Sequence, residues 1–341
     1  KYLSETRKQE MEPVNDVAET QPQYRSVDGR ICMAWNIISF DESNASIDGM
    51  LVGTKGINIL APTWFTLTDD AGTVNVKASK TYVKMAHEKK MMIWAVLDNF
   101  QNETGTVCTE FLNTFEGRQK VIKKVVEEAL AFNIDGINVD LEGLTMEHGA
   151  DFVEFVREIS IACRRAGLYI SIDNYVPYNY NDYANLLEQA KFADYVVIMG
   201  YDEHYAGSEE AGSVASIGYV EYGITEALKE VPAERLINGI PFYTRGWTTE
   251  NGEVTSQVLD MVEAKNFVKD HRMNRDWNST AGQYYAERQA GSKLYQIWME
   301  DKKSVKLKLD LMAEKKLAGA AFWVLGLETN DVWDVVEDYV K

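Results

Sequence analysis

Three things are scarce in this 341-residue chain: cysteine, long apolar runs and positive charge. Cys32, Cys108 and Cys163 are widely spaced and form no C-x-x-C pair, so neither a disulfide framework nor a zinc knuckle organises the fold. Cys32 and Cys163 read as small core residues. No apolar run approaches the ~18 residues that a membrane helix needs. The 53 acidic residues outnumber 35 basic ones and leave a formal net charge of -18, which disfavours nucleic acid and anionic membranes as partners. Internal repeats and low-complexity segments are missing too.

What the chain does have is material for a large core. Hydrophobic residues make up 45% and aromatics 11%, enough for one large α/β barrel with some extra material, or for two compact domains. Residues 1–28 are polar, with Pro13, Pro22 and little periodicity, and read as a linker or N-terminal extension; one domain is expected over 29–341. The chain begins at Lys1 without a signal-peptide pattern, and the expectation is that an upstream targeting or anchoring segment has been removed.

Apolar runs and helical periodicities then alternate. Strands are predicted at 30–40, 56–67, 91–98, 135–143, 168–175, 194–202, 236–243 and 318–326. Helices are predicted at 80–90, 116–133, 148–166, 183–190, 219–229 and 331–340, and Gly167 closes the third of them. Eight strands mostly separated by helices favour a closed barrel over an open sheet. The gap between the seventh and eighth strands is too long for one helix. Within it, 283–288 and 293–299 flank Ala290-Gly291-Ser292 as a hairpin and 302–315 reads as a helix, so an insertion is expected over about 248–316.

The fourth strand, D-G-I-N-V-D-L-E-G at 135–143, carries the chemistry. Ile137, Val139 and Leu141 alternate with Asn138, Asp140 and Glu142, giving one apolar face and one acidic or amide face. On a half-exposed strand the polar face would simply meet water. In a strand covered on both sides, carboxylates near its end need a use, either acid/base chemistry or a hard metal site. The pattern D-G-x-x-x-D-x-E resembles the signature of glycoside hydrolase family 18, the chitinase and endo-β-N-acetylglucosaminidase family, which carries D-x-x-D-x-D-x-E on the fourth strand of a (β/α)8 barrel. The resemblance implies an α/β fold, a (β/α)8 TIM barrel with a small α/β insertion between strands 7 and 8 as one wall of a sugar groove. It makes Glu142 the proton donor and Asp140 the residue that orients the substrate's acetamido group, with Asn138 where the family most often has Asp. Gly143 stands where many chitinases have an aromatic residue, so part of the sugar platform must come from elsewhere.

Further motifs follow in the family's order. Met199-Gly200-Tyr201-Asp202 resembles M-T-Y-D, which assigns Tyr201 to the acetamido carbonyl and sets Met199 and Asp202 beside it. The plain alternative is a core Tyr with a helix-capping Asp. The stretch 239–243, G-I-P-F-Y, resembles G-x-P-F-Y and brings Tyr243 to the groove. Phe322-Trp323 resembles the strand-end Trp that floors the sugar site, although such a Trp is equally a core residue. Asn99 follows the third strand where family members place an amide or aromatic at the groove, and Trp35, Trp64 and Trp94 are further platform candidates. His204 receives no catalytic role.

Together these residues imply a retaining hydrolase that cuts β-1,4 bonds after N-acetylglucosamine by substrate assistance, with no cofactor and no metal. Asp202-Glu203-His204 and F-W-V-L-G at 322–326 resemble the peptidoglycan and spore-cortex branch. The expected partner is therefore an N-acetylglucosamine-containing polysaccharide, met outside the cytoplasmic membrane in the extracellular space or cell envelope, without nucleic acid and without membrane contact in these residues. A chitinase acting on chitooligosaccharides and a non-catalytic carbohydrate-binding barrel are the alternatives; barrels of the second kind typically lose the acid, and Glu142 is present. A divalent-metal enzyme using Asp135, Asp140 and Glu142 is weaker, because Asp135 has the opposite parity and no His lies nearby.

Overall fold

Apolar strands that hide both faces must be covered twice, and here a closed sheet covers them from inside and helices from outside. The strands are β1 (Ile31–Asn36), β2 (Ile59–Pro62), β3 (Met92–Asp98), β4 (Gly136–Asp140), β5 (Tyr169–Tyr175), β6 (Tyr195–Met199), β7 (Leu236–Pro241) and β8 (Gly319–Trp323). Each pairs in parallel with the next, and β8 returns to β1 in the register Ile31↔Gly319 to Ala34↔Phe322. The structure is a computed structural model that describes residues 24–101 and 106–341. No helix among the described residues is long and apolar enough to cross a membrane.

The expected (β/α)8 TIM barrel is found, with three local differences. The run predicted at 56–67 breaks after Pro62, and Phe65–Leu67 pairs instead with β3 and with a short antiparallel strand, Val74–Val76. Proline has no N–H for a ladder, so it sits where a strand ends. The helix predicted at 183–190 is a 3-10 turn, Asn179–Ala184, followed by Leu186–Phe192. The seventh strand stops at Pro241, and Tyr243–Glu250 opens a separate five-stranded antiparallel sheet with Glu253–Asp260, Arg275–Asn278, Gln283–Ala290 and Lys293–Met299. That sheet has its own small core, in which Phe267, Ile297 and Met299 are buried.

Local chemistry explains how β4 is seated. The helices on either side of it, Phe115–Phe132 and Gly149–Ala166, turn Val121, Ile122 and Val125 and then Phe152, Phe155 and Ile159 inward. The second helix stops at Gly167, whose φ of 74° is the left-handed geometry that favours glycine. At Gly136 a Cβ would lie 2.7 Å from the Trp94 ring and 2.8 Å from Tyr169 Cβ, so only glycine lets β4 run between them. Asp135, at the opposite end of β4 from Asp140, accepts the Ile93 N–H at 2.8 Å and pairs with His87 Nε2 at 2.8 Å. A strand advances ~3.3 Å per residue, so the metal reading that joined Asp135 to Asp140 and Glu142 is excluded by distance.

Residues 1–23 of the expected extension lie outside the described residues. Tyr24 to Val27 is not a loose linker but closes the barrel floor: the Arg25 N–H donates to Asp194 Oδ1 at 2.9 Å, the Val27 N–H to Tyr195 Oη at 2.7 Å, and Tyr24 lies under Arg235.

The insertion is locked to the barrel by a buried ion pair. Lys308 Nζ donates to Glu300 Oε1 at 2.6 Å, with side-chain exposures of 1% and 0%. Gln283 and Ser304 also donate to that carboxylate, and Gln283 accepts from Ser213 on the loop after β6. Removing one partner strands the other charge in the interior, so Lys308→Met is expected to lose about 3–5 kcal/mol of stability. Urea unfolding checks this, and a loss below ~1 kcal/mol would mean that the pair is not held as described.

Candidate functional site

Active sites of such barrels lie where the strands end, and the polar face of β4 ends there. Asp140 is the last residue of β4 and pairs laterally with Asp98 of β3. On the other side Val139 pairs with Ile172, so Asp140 and Asp173 of β5 share the next rung. Three aspartates thus stand abreast at one level of the barrel. Glu142 lies just beyond the strand, on a turn held by Asn99: the Glu142 N–H donates to Asn99 Oδ1 at 2.8 Å, and Asn99 Nδ2 donates to the Glu142 carbonyl at 3.0 Å. The Glu142 carboxylate accepts the Tyr175 hydroxyl at 2.5 Å.

Asp140, Glu142, Tyr175, Met199, Tyr201, Asp202 and Trp323 line one cavity of about 140 Å³. Tyr201 is 9% exposed, and Gly239 makes room for it: a Cβ there would lie 2.9 Å from the Tyr201 ring. Trp323 rests edge-on against Trp35 with ring centres 5.7 Å apart. Asp202 has a left-handed backbone, φ 59°, and accepts the Tyr243 hydroxyl at 2.5 Å. Glu203 accepts the N–H and hydroxyl of Ser216, and His204 lies 2.9 Å from the Ser213 carbonyl, so both hold the loop after β6.

Beneath the cavity Asn138 is fully buried and uses every polar atom of its side chain. Its Oδ1 accepts the Trp35 indole N–H at 2.9 Å, and its Nδ2 donates to Ser171 Oγ at 2.9 Å and to Asp173 Oδ1 at 2.7 Å. Burial pushes the Asp140 carboxyl well above the ordinary range, helped by the negative charges of Glu142, Asp173 and Asp98. Burial likewise raises Asp173 to about 8, against the hydrogen bond from Asn138. Asp98 is raised to about 6 by burial, with the Lys77 ammonium opposing.

Several sequence expectations are revised by these contacts. Asn99 does not face the groove: it is 1% exposed and spent on the Glu142 backbone. The Tyr243 hydroxyl is spent on Asp202 and the residue is 6% exposed, so it supports the wall rather than meeting sugar. Asn138 lies below the cavity rather than in it. Trp35, Trp64 and Trp94 add no platform, because all are core residues packed on Trp323, Tyr82 and Tyr169.

Residues 106–328 match the family described as Glycosyl hydrolases family 18. The chain belongs to that family. Two curated relatives come from Bacillus subtilis: the uncharacterized glycosylase YvbX, 26% identical over 76% of this chain and 78% of that protein, and a cortical fragment-lytic enzyme, 27% identical over 73% and 59%. The chain thus spans somewhat over half the length of the second. A solved chitinase from Chromobacterium violaceum shares the fold, with a TM-score of 0.79 and 19% identity over 91% of this chain and 98% of that one.

This family 18 glycosyl hydrolase carries two residues at the site that sequence reasoning missed, Asp173 and Tyr175. The signal was present, since Ser171, Asp173 and Tyr175 alternate along β5 as Asn138 and Asp140 do along β4.

The raised Asp173 value has a consequence for stability. Asp173 and Asp140 together keep a proton at pH values where unfolded aspartates, near 3.8, have lost theirs. The contribution of this shared proton is therefore full below 3.8 and is lost as the pH rises to about 8, with Asp98 acting in the same direction. Denaturant unfolding across this window should show stability falling with pH, and falling less steeply in Asp173→Asn; equal slopes would contradict the assignment.

Proposed function

We propose that this chain is a retaining hydrolase of N-acetylglucosamine-containing envelope glycan; the observation that carries this reading is the grouping of Glu142, Asp140, Tyr201 and Trp323 around one cavity at the barrel mouth. Glu142 gives its proton to the glycosidic oxygen while the substrate's own 2-acetamido oxygen attacks the anomeric carbon. The bond to the leaving sugar breaks and an oxazolinium ion forms. Asp140 accepts the acetamido N–H, the Tyr201 hydroxyl donates to the acetamido oxygen, and Trp323 lies under the ring. Water then adds to the anomeric carbon, Glu142 takes its proton, and the acetamido group re-forms with the β configuration retained.

The choice of envelope glycan, met outside the cytoplasmic membrane, is supported by the likeness to the cortical fragment-lytic enzyme. It is also supported by the open surface beside the cavity. A groove of about 640 Å³ lined by Met146, Tyr175, Tyr180 and Tyr183 continues from Tyr175 and offers aromatic faces to a longer chain.

Replacing Glu142 by Gln keeps the shape but removes the proton, and turnover should fall by at least ~10²-fold while glycan binding survives. Near-normal turnover in that variant would move the acid elsewhere. The substrate is tested by digesting purified peptidoglycan and chitin oligomers at equal concentration and following the product by NMR. Muropeptides released with the β-anomer first are expected. Intact muropeptides beside rapid chitin cleavage would make the chain a chitinase, and first release of the α-anomer would defeat substrate assistance.

A further inference from the structure

Two carboxyl oxygens at this end of the barrel are buried without a hydrogen-bond partner, Asp140 Oδ1 and Asp173 Oδ2. The strand register sets their residues side by side on β4 and β5. Neighbouring strands lie ~4.8 Å apart, which brings the two carboxyls within reach of each other. A buried carboxyl oxygen with no donor is costly unless a proton is shared across it.

The groups around the pair are Glu142 and Asn138 from β4 and its turn, Ser171 and Tyr175 from β5, Asp98 from β3, Trp35 from β1 and Tyr201 from β6. None of these is a cation, and Lys77 acts on Asp98. Like charges so close do not all ionise. Asn138, with its amide fully engaged, has no site for a proton from Asp140.

We propose that Asp173 takes that proton: it is a positioning residue that receives it from Asp140 when substrate binds, leaving Asp140 as the anion that faces the acetamido N–H and the developing positive charge. An O–H bond breaks at Asp140 and one forms at Asp173, and the pair keeps a single negative charge throughout. The inference rests on the role given to Asp140 in the proposed function. The raised values of both carboxyls agree with one proton retained by the pair at neutral pH.

The test is the pH profile of kcat/KM for the wild type, Asp173→Asn and the double variant Asn138→Asp with Asp173→Asn, each checked for folding by thermal unfolding. An amide at 173 cannot take the proton, so Asp140 must release it to water. The acidic limb then moves to higher pH, and each unit of movement costs ~10-fold in rate below the limb. The double variant returns one acid beside Asp140, and the limb is expected to move back. A limb that stays in place in Asp173→Asn, or a uniform loss at every pH that the double variant does not rescue, overturns the proposal. An infrared spectrum of the wild type provides a measure independent of any variant: a protonated carboxyl band at neutral pH is expected, and its absence overturns the proposal. Glu142→Gln keeps the two readings apart. Activity surviving there defeats the reaction scheme, whereas its loss beside an unmoved limb in Asp173→Asn defeats only the role of Asp173.

Discussion

The hydrogen bond from Asn138 Nδ2 to Asp173 Oδ1, 2.7 Å long and fully buried, ties β4 to β5 beneath the cavity, and the site above depends on it. It holds the Asp173 carboxyl in an interior crowded with negative charge. The same amide receives the Trp35 indole, and Trp35 in turn backs Trp323, so the acidic wall and the aromatic floor are joined through one side chain. An acidic residue at 138 would put one more carboxylate beside Asp140 and Asp173, and an apolar one would remove the acceptor of the Trp35 N–H and a donor to Asp173.

Glu142 and Asp140 are positioned by different means, and the difference suits different work. Asp140 is part of the ladder of β4 and moves only if the strand does. Glu142 lies on the following turn, where its backbone is pinned in both directions by Asn99 while its carboxylate stays half-exposed with Tyr175, itself 41% exposed, as a partner. In the proposed reaction Glu142 gives up a proton and later takes one from water, which needs that access, whereas Asp140 faces a substrate group and is better held rigid.

Continuous apolar runs made most of the barrel legible, because strands sealed on both faces read as such runs wherever they occur. Period-two alternation on β4 also placed Asn138, Asp140 and Glu142 on one face. Three kinds of information were not legible. The bonds that spend Asn99 and Tyr243 on Glu142 and Asp202 join loops that only the closed barrel brings together. The burial of Trp35, Trp64 and Trp94 depends on which neighbours fill the interior, a question that spacing along one strand does not answer. Asp173 was hidden for another reason: its meaning lies in its lateral neighbour, and register is a property of two strands.

Aspartates at the two ends of the barrel are treated in opposite ways. At the floor, Asp194 accepts backbone N–H groups from Arg25 and Ile170, and Asp135 accepts one from Ile93 and pairs with His87. These carboxylates satisfy donors that would otherwise be orphaned, and they hold strands in place. At the mouth, Asp140 and Asp173 each keep a buried oxygen without a donor. A chain that pairs its aspartates so fully at one end is able to do so at the other, so the unmet oxygens are not explained by a shortage of partners. In the proposed reaction the Asp140 oxygen meets the acetamido group and the Asp173 oxygen takes the shared proton, and in that sense the polar capacity left unmet in folding is held for the reaction.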